Sequence, residues 1–275
     1  MSKRSIFGLS AVFACLAAGL LGGCKDEADP LPPVILISLD TLRADHVGFM
    51  GYPRETTPFL DELAEQSMVF DQAYTTMSWT LIAHMSLLTG LYPEQHKVWT
   101  PESGLPESAV TLAQRLKKLG YHNMGFHFPG WLDPDYGFGR DFDVYIPHDN
   151  LKQAGANIRE AMANRPKDKP YFLFIHLFDI HNKPVKRVPS LLYQSPAPYD
   201  EMFMADANEL LEDTISFQVW HMGNHNLSLD QHDAVVAQYD GGIRYIDDEL
   251  RSWTKEWRES GTFDDAVVIV TSDHG

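Results

Sequence analysis

Apolar runs of six or seven residues recur along the chain, separated by stretches in which apolar positions follow helical spacing. "VILISLD" (34–40), "YFLFIHLFDIH" (171–181) and "AVVIVTSDH" (266–274) are continuous and rich in branched or aromatic side chains. That pattern suits strands buried on both faces, as in a parallel sheet. Further strands are expected near 67–70 and 122–127. Helices are expected at 107–119, 150–165 and 229–258. Another is expected over "TTPFLDELAEQS" (56–67), where Thr57 is placed to cap and Pro58 to occupy the first helical position. "SWTLIAHMSLLTG" (78–90) reads as a further helix, with Thr80 in its first turn and His84 above it on the same face. Strands alternating with amphipathic helices predict an α/β layered fold.

The first residues change the picture. Lys3 and Arg4 precede the apolar, glycine-broken run "IFGLSAVFACLAAGLLGG", which is too short for a good membrane span. A basic start, an apolar middle and small residues at the end describe an export signal. Its end, "LGGC", resembles the bacterial lipoprotein box, in which Cys24 becomes the lipidated first residue; the alternative is an ordinary signal with a stray cysteine. The expected organisation is a signal peptide over 1–23, a polar, proline-rich tether over 24–33 and a folded body over 34–275. The expected location is the bacterial cell envelope, as a periplasm-facing or surface lipoprotein held to the membrane by its lipid.

Cysteine and charge exclude several classes. The two cysteines are Cys15 and Cys24, so the folded body has no disulfide, thiolate metal site or cysteine nucleophile. The formal net charge is −16, and loss of residues 1–23 removes Lys3 and Arg4 but no acid. Such a surface repels nucleic acid and anionic headgroups, so nucleic acid is not an expected partner.

Three of the apolar runs end in acids or histidines: Asp40, then Asp179 and His181, then Asp273 and His274. Ligands of open parallel sheets bind beyond the carboxyl ends of strands. Carboxylates and imidazoles without thiolate suit calcium, zinc, manganese or magnesium. For Asp40 and Asp179 a turn or cap role is the alternative. Arg43 reads either as an anion clamp or as the ion-pair partner of Asp45. His221 and His225 are four apart, but the glycine between them favours a solvated loop over a metal-binding helix. The acids of "YDGGIRYIDDELRSW" (239–253) read as solvated or capping. Residues 201–213, with Met202 and Met204, look like an amphipathic insertion.

Residues 32–96, "PPVILISLDTLRADHVGFMGYPRETTPFLDELAEQSMVFDQAYTTMSWTLIAHMSLLTGLYPEQH", resemble the opening of the sulfatases, within the alkaline phosphatase superfamily. "FLFIHLFDIHNKP", "YDGGIRYIDDEL" and "VIVTSDHG" follow in the order that family shows. The resemblance implies a three-layer α/β sandwich with a large, mostly parallel central sheet and a divalent metal ion at the strand ends. It implies Asp40, Asp273 and His274 as metal ligands, with Thr80 as nucleophile and fourth ligand. Asp179 adds a ligand if a second cation binds. His84 faces the site or is a core histidine bonded to backbone. His181 contacts the ester oxygens or assists the leaving group. The implied partner is an anionic ester, as a small molecule or on a glycan or lipid.

The chain also departs from that family. Sulfatases carry Cys or Ser in C/S-x-P-x-R and oxidise it to formylglycine; this chain reads T-L-I-A-H. Thr41 stands where a second aspartate is expected, and the lysine and histidine of "GKWHLG" are missing, with His127 as a substitute contact for substrate. Threonine has no aldehyde route, so release of its covalent adduct needs water at phosphorus or sulfur. These features lead to a metal-dependent hydrolase of sulfate or of phosphate or phosphonate esters, with a headgroup transferase as a third chemistry. The alternative is a non-catalytic surface lipoprotein on the same fold. The sequence stops just after "SDHG", and the 34–275 body is therefore expected to be incomplete at its C-terminal end.

Overall fold

The computed structural model describes residues 30–181, 193, 195–211 and 227–275. The signal peptide, Cys24 and most of the tether lie outside the described residues, as do His221 and His225; residues 30–33 carry no regular structure. No helix among the described residues is long and apolar enough to cross a membrane.

In chain order the elements are β1 (Val34–Leu39), α1 (Pro58–Ala64), α2 (Thr80–Thr89), α3 (Pro93–His96), α4 (Leu112–Lys118), β2 (His122–His127), β3 (Val144–Pro147), α5 (Leu151–Asn164), β4 (Tyr171–Leu177), α6 (Ala207–Leu211), α7 (Leu229–Glu259) and β5 (Val267–Ser272), with three short 3-10 turns between them. The five strands form one sheet in the order β3-β2-β4-β1-β5, every pairing parallel. Helices cover both faces, as the sequence predicts.

Strand parity sorts the core into two layers. Ile35, Ile37 and Leu39 of β1, with Leu173, Ile175 and Leu177 of β4, pack under α5 and α7 around Ile158, Ile246 and Trp253. Leu36, with Phe172 and Phe174, packs on the other side against Leu81, Met85 and Leu88 of α2. Burying each of these side chains stabilises the fold by about 1.5–3 kcal/mol. α2 is buried nearly all round, Thr80 and His84 included. Gly241 of α7 marks a close approach: a Cβ there would sit 1.9 Å from the Tyr199 carbonyl oxygen.

Several expectations are corrected. Residues 67–70 are not a strand; Met68 and Phe70 are 81% and 70% exposed, and no strand among the described residues pairs with them. α4 starts at Leu112 rather than 107, where Thr111 and Gln114 form a capping box. β3, only four residues, is too short to announce itself by pattern. β5 is the outer strand, paired with β1 alone, and its Val267 and Ile269 are 47% and 44% exposed. The acids of 239–253 are not all solvated. Asp240 is fully buried and accepts from His46, Tyr52 and Arg54 at 2.6–2.7 Å. Asp247 accepts the backbone N–H groups of Phe59 (2.7 Å) and Leu60 (2.9 Å), capping α1 from a helix 188 residues away in sequence.

Candidate active site

The same parity that builds the core aims polar side chains at one spot. Leu36, Ser38 and Asp40 share the α2-facing side of β1, and Ser38 is level with His176 on β4. Asp273 and His274 follow β5. α2 begins at Thr80, its first helical residue, and ends at Gly90 in the left-handed conformation that suits glycine there.

These elements bring Thr80, Asp40, Asp273 and His274 together. Thr80 Oγ1 donates to Asp40 Oδ2 at 3.3 Å and lies 3.4 Å from His274 Nε2. His274 Nε2 is 3.5 Å from Asp273 Oδ2 and 3.9 Å from Asp40 Oδ1. One donor atom each from Asp40, Asp273 and His274 falls within 4.8 Å of the others.

Each carboxylate is half satisfied. Asp40 Oδ2 accepts from His176 Nε2 at 2.9 Å as well as from Thr80, while its Oδ1 is buried and accepts no hydrogen bond. Asp273 Oδ1 accepts from the backbone N–H groups of Thr41 (3.1 Å) and His274 (2.8 Å), while its Oδ2 is buried and accepts none. Two bare carboxylate oxygens and an imidazole nitrogen beside a hydroxyl form an oxygen- and nitrogen-rich donor set that fits a divalent cation. Without one, burial and the charge of Asp273 push the Asp40 carboxyl up to about 6, against the opposing pull of His181, His84 and His274.

The turn after β1 shapes the site. Thr41 is wound left-handed, with φ at 61°, and its N–H donates to Asp273 Oδ1. The Tyr239 hydroxyl of α7 brackets that turn, donating to the Thr41 carbonyl (2.7 Å) and accepting from Arg43 N–H (2.9 Å).

The remaining expected residues divide. His84 is fully buried; its Nδ1 is 2.9 Å from the Thr80 carbonyl, and its Nε2 is 2.9 Å from Ser38 Oγ. A carbonyl can only accept, so Nδ1 carries the proton and Ser38 donates to Nε2. Burial, reinforced by His176, holds the His84 pKa down to about 4. His181 is half-buried and stacked on Phe178 at 4.2 Å; Asp179 is half-buried on the same turn. His127 is buried, stacked on Tyr145 at 4.4 Å and bonded through Nδ1 to the Phe128 carbonyl; its Nε2 has no hydrogen-bond partner. Arg43 forms an exposed pair with Asp45 at 2.7 Å, the second of its two readings.

Sequence reasoning missed His176 and His148, both 1% exposed. His176 is the penultimate residue of the apolar strand β4, where a lone polar residue level with Ser38 was the available signal. His148 follows β3 and donates to the His176 carbonyl at 2.9 Å. Burial holds their pKa values down, to about 3 for His176 and about 4 for His148.

Comparison with known proteins places this arrangement. A family model, Sulfatase, matches residues 32–275. The N-acetylgalactosamine-6-sulfatase of Rattus norvegicus is 31% identical over 281 residues, covering 90% of this chain and 50% of that protein. Arylsulfatase A of Bos taurus is 33% identical over 148 residues, 49% of this chain and 28% of that protein. The chain thus spans about half the length, or less, of these relatives. Among solved structures, a phosphonate monoester hydrolase of Agrobacterium radiobacter superposes with a TM-score of 0.67 at 19% identity, covering 89% of this chain and 63% of the other. The C-terminal periplasmic domain of EcEptC from Escherichia coli, in complex with Zn, gives 0.64 at 20% identity, covering 91% and 66%. At these identities the solved structures speak for the fold, and the match of the family model across residues 32–275 speaks for descent: the chain belongs to the sulfatase family.

Proposed function

We propose that the protein hydrolyses an anionic ester, with Thr80 as nucleophile beside a divalent cation held by Asp40, Asp273 and His274. The observation that carries this reading is the pair of bare, buried carboxylate oxygens facing one hydroxyl and one imidazole. Bound there, a divalent cation would supply positive charge that lowers the pKa of the hydroxyl and draws in the ester.

The side chains and backbone supply the remaining roles. Thr80 sits at the start of a ten-residue helix, whose first N–H groups lack partners inside the helix and favour an anion. Its hydroxyl proton has an acceptor in Asp40 Oδ2, the carboxylate oxygen that the cation would leave free. Its oxygen then attacks phosphorus or sulfur, forming the Thr80–ester bond as the bond to the leaving oxygen breaks; His181 protonates the departing alcohol. Water attacking the same phosphorus or sulfur releases Thr80 and inorganic phosphate, phosphonate or sulfate. Asp179 is a further ligand if a second cation binds, and His127 lines the substrate side. Thr80, unlike a formylglycine, favours phosphate and phosphonate esters on chemical grounds. The name of the rat relative points instead to a sulfated amino sugar. Residues 1–24 support export and lipid attachment at Cys24, facing the periplasm or the cell surface.

The test is turnover of aryl sulfate, phosphate mono- and diesters and a phosphonate monoester, with calcium, zinc, manganese and magnesium in turn. Mass spectrometry of a rapidly quenched reaction should find the adduct on the peptide containing Thr80. Absence of turnover with every ester and cation would leave the fold as a non-catalytic binding element. Radiolabelled palmitate should enter the intact chain and not its Cys24→Ala variant.

A further inference from the structure

We propose that His176 is a positioning residue that fixes the orientation of Asp40 for cation binding, acting as a neutral imidazole with its proton on Nε2. The tautomer follows from the partners. The backbone N–H of Phe128 can only donate, and it points at His176 Nδ1 across 3.4 Å. Nδ1 is therefore a lone pair, and the ring proton of the neutral imidazole lies on Nε2. That N–H donates to Asp40 Oδ2 at 2.9 Å.

The ring is held from several directions. The His148 side chain donates to the His176 backbone carbonyl, and the His84 ring meets the His176 ring edge-on at 4.9 Å. Asp40 N–H donates to the carbonyl of Leu177, the next residue of the strand, at 2.9 Å. His176 thus stands near the carboxyl end of the central strand of the sheet. Its donation commits one carboxylate oxygen of Asp40 and turns the other, Oδ1, toward Asp273 and His274. Without that donor only the longer bond from Thr80, at 3.3 Å, would hold the buried carboxylate, and the cation would have to order it further on binding. Partners that orient a metal ligand in this way contribute to affinity without touching the metal.

This inference rests on the cation reading of the site, and its test separates the two. Calorimetric titration with Zn²⁺ and Mn²⁺ should show His176→Met weakened by about 10–100-fold, and His176→Gln, whose side-chain amide can reach the same oxygen, restored to within about threefold of the parent. Circular dichroism checks that both variants are folded. Nitrogen-15 correlation spectra of the cation-free parent, assigned by the peaks lost in His176→Gln, should show the Nε2–H tautomer. Should His176→Met fail to fold, these spectra and the Gln variant decide. Equal affinity in the parent and a folded Met variant, an unrescued Gln variant, or an Nδ1–H or doubly protonated ring overturns the inference alone. A parent chain that binds neither cation overturns the cation reading and this inference with it.

Discussion

Among the described residues four aspartates are buried, two at the strand ends and two on α7, and they are treated in opposite ways. Asp240 and Asp247 have both oxygens filled: the first by His46, Tyr52 and Arg54, the second by the N–H groups of Phe59 and Leu60. Asp40 and Asp273 have one oxygen filled and one bare. Burying an unpartnered carboxylate oxygen is costly, so proteins seldom leave one without a reason. The helix pair shows that this chain can satisfy a buried acid completely where the acid is structural. The half-filled pair supports the proposed cation seat, with Thr80 beside it.

The comparison can be broken by substitution. Thr80→Ala should lower ester turnover by about 10⁴-fold or more while leaving cation binding measurable by calorimetry; unchanged turnover removes Thr80 from the chemistry. Asp273→Asn should weaken cation affinity by at least about a hundredfold. In cation-free buffer the same variant should melt no lower than the parent, because it relieves repulsion with Asp40. Asp247→Ala should behave oppositely. It leaves cation affinity alone and costs about 3 kcal/mol in urea unfolding, because two helix-start N–H groups lose their acceptor.

The smallest effect concerns pH. The buried His148 binds a proton below about 6.5 when unfolded but only below about 4 when folded, so its contribution is present above 6.5 and lost as pH falls toward 4. His148→Phe should flatten that acid limb by about 2 kcal/mol in urea titrations at pH 7 and 4.5. An unchanged slope assigns the acid sensitivity to other groups.

Much of this was legible before any coordinates. Asp40, Asp273 and His274 announced themselves by ending apolar strands, and Thr80 by opening an apolar helix. Those signals are local, and the α/β pattern carries them to the same edge of the sheet. Asp247 is capping, one of the two readings of these acids, but the helix it caps and the role of Asp240 were not legible, because their partners lie more than 180 residues away and helical periodicity says nothing about what a buried acid will meet. His176 was hidden for a related reason: inside a strand buried on both faces, one polar residue reads as an exception until its neighbour across the sheet is known. The apolar character of 67–70 misled because composition alone does not supply a pairing strand.

One consequence follows from the left-handed turn at Thr41. A threonine held in that conformation carries about 1–2 kcal/mol of strain. The turn is held from two sides, by Asp273 on its amide and by Tyr239 on its carbonyl. Tyr239 belongs to α7, which lies on the opposite layer of the sandwich from Thr80. Through that hydrogen bond α7 reaches the one turn that carries both Asp40 and the amide donor of Asp273. The cation seat proposed above thus hangs in part on a helix in the opposite layer of the sandwich.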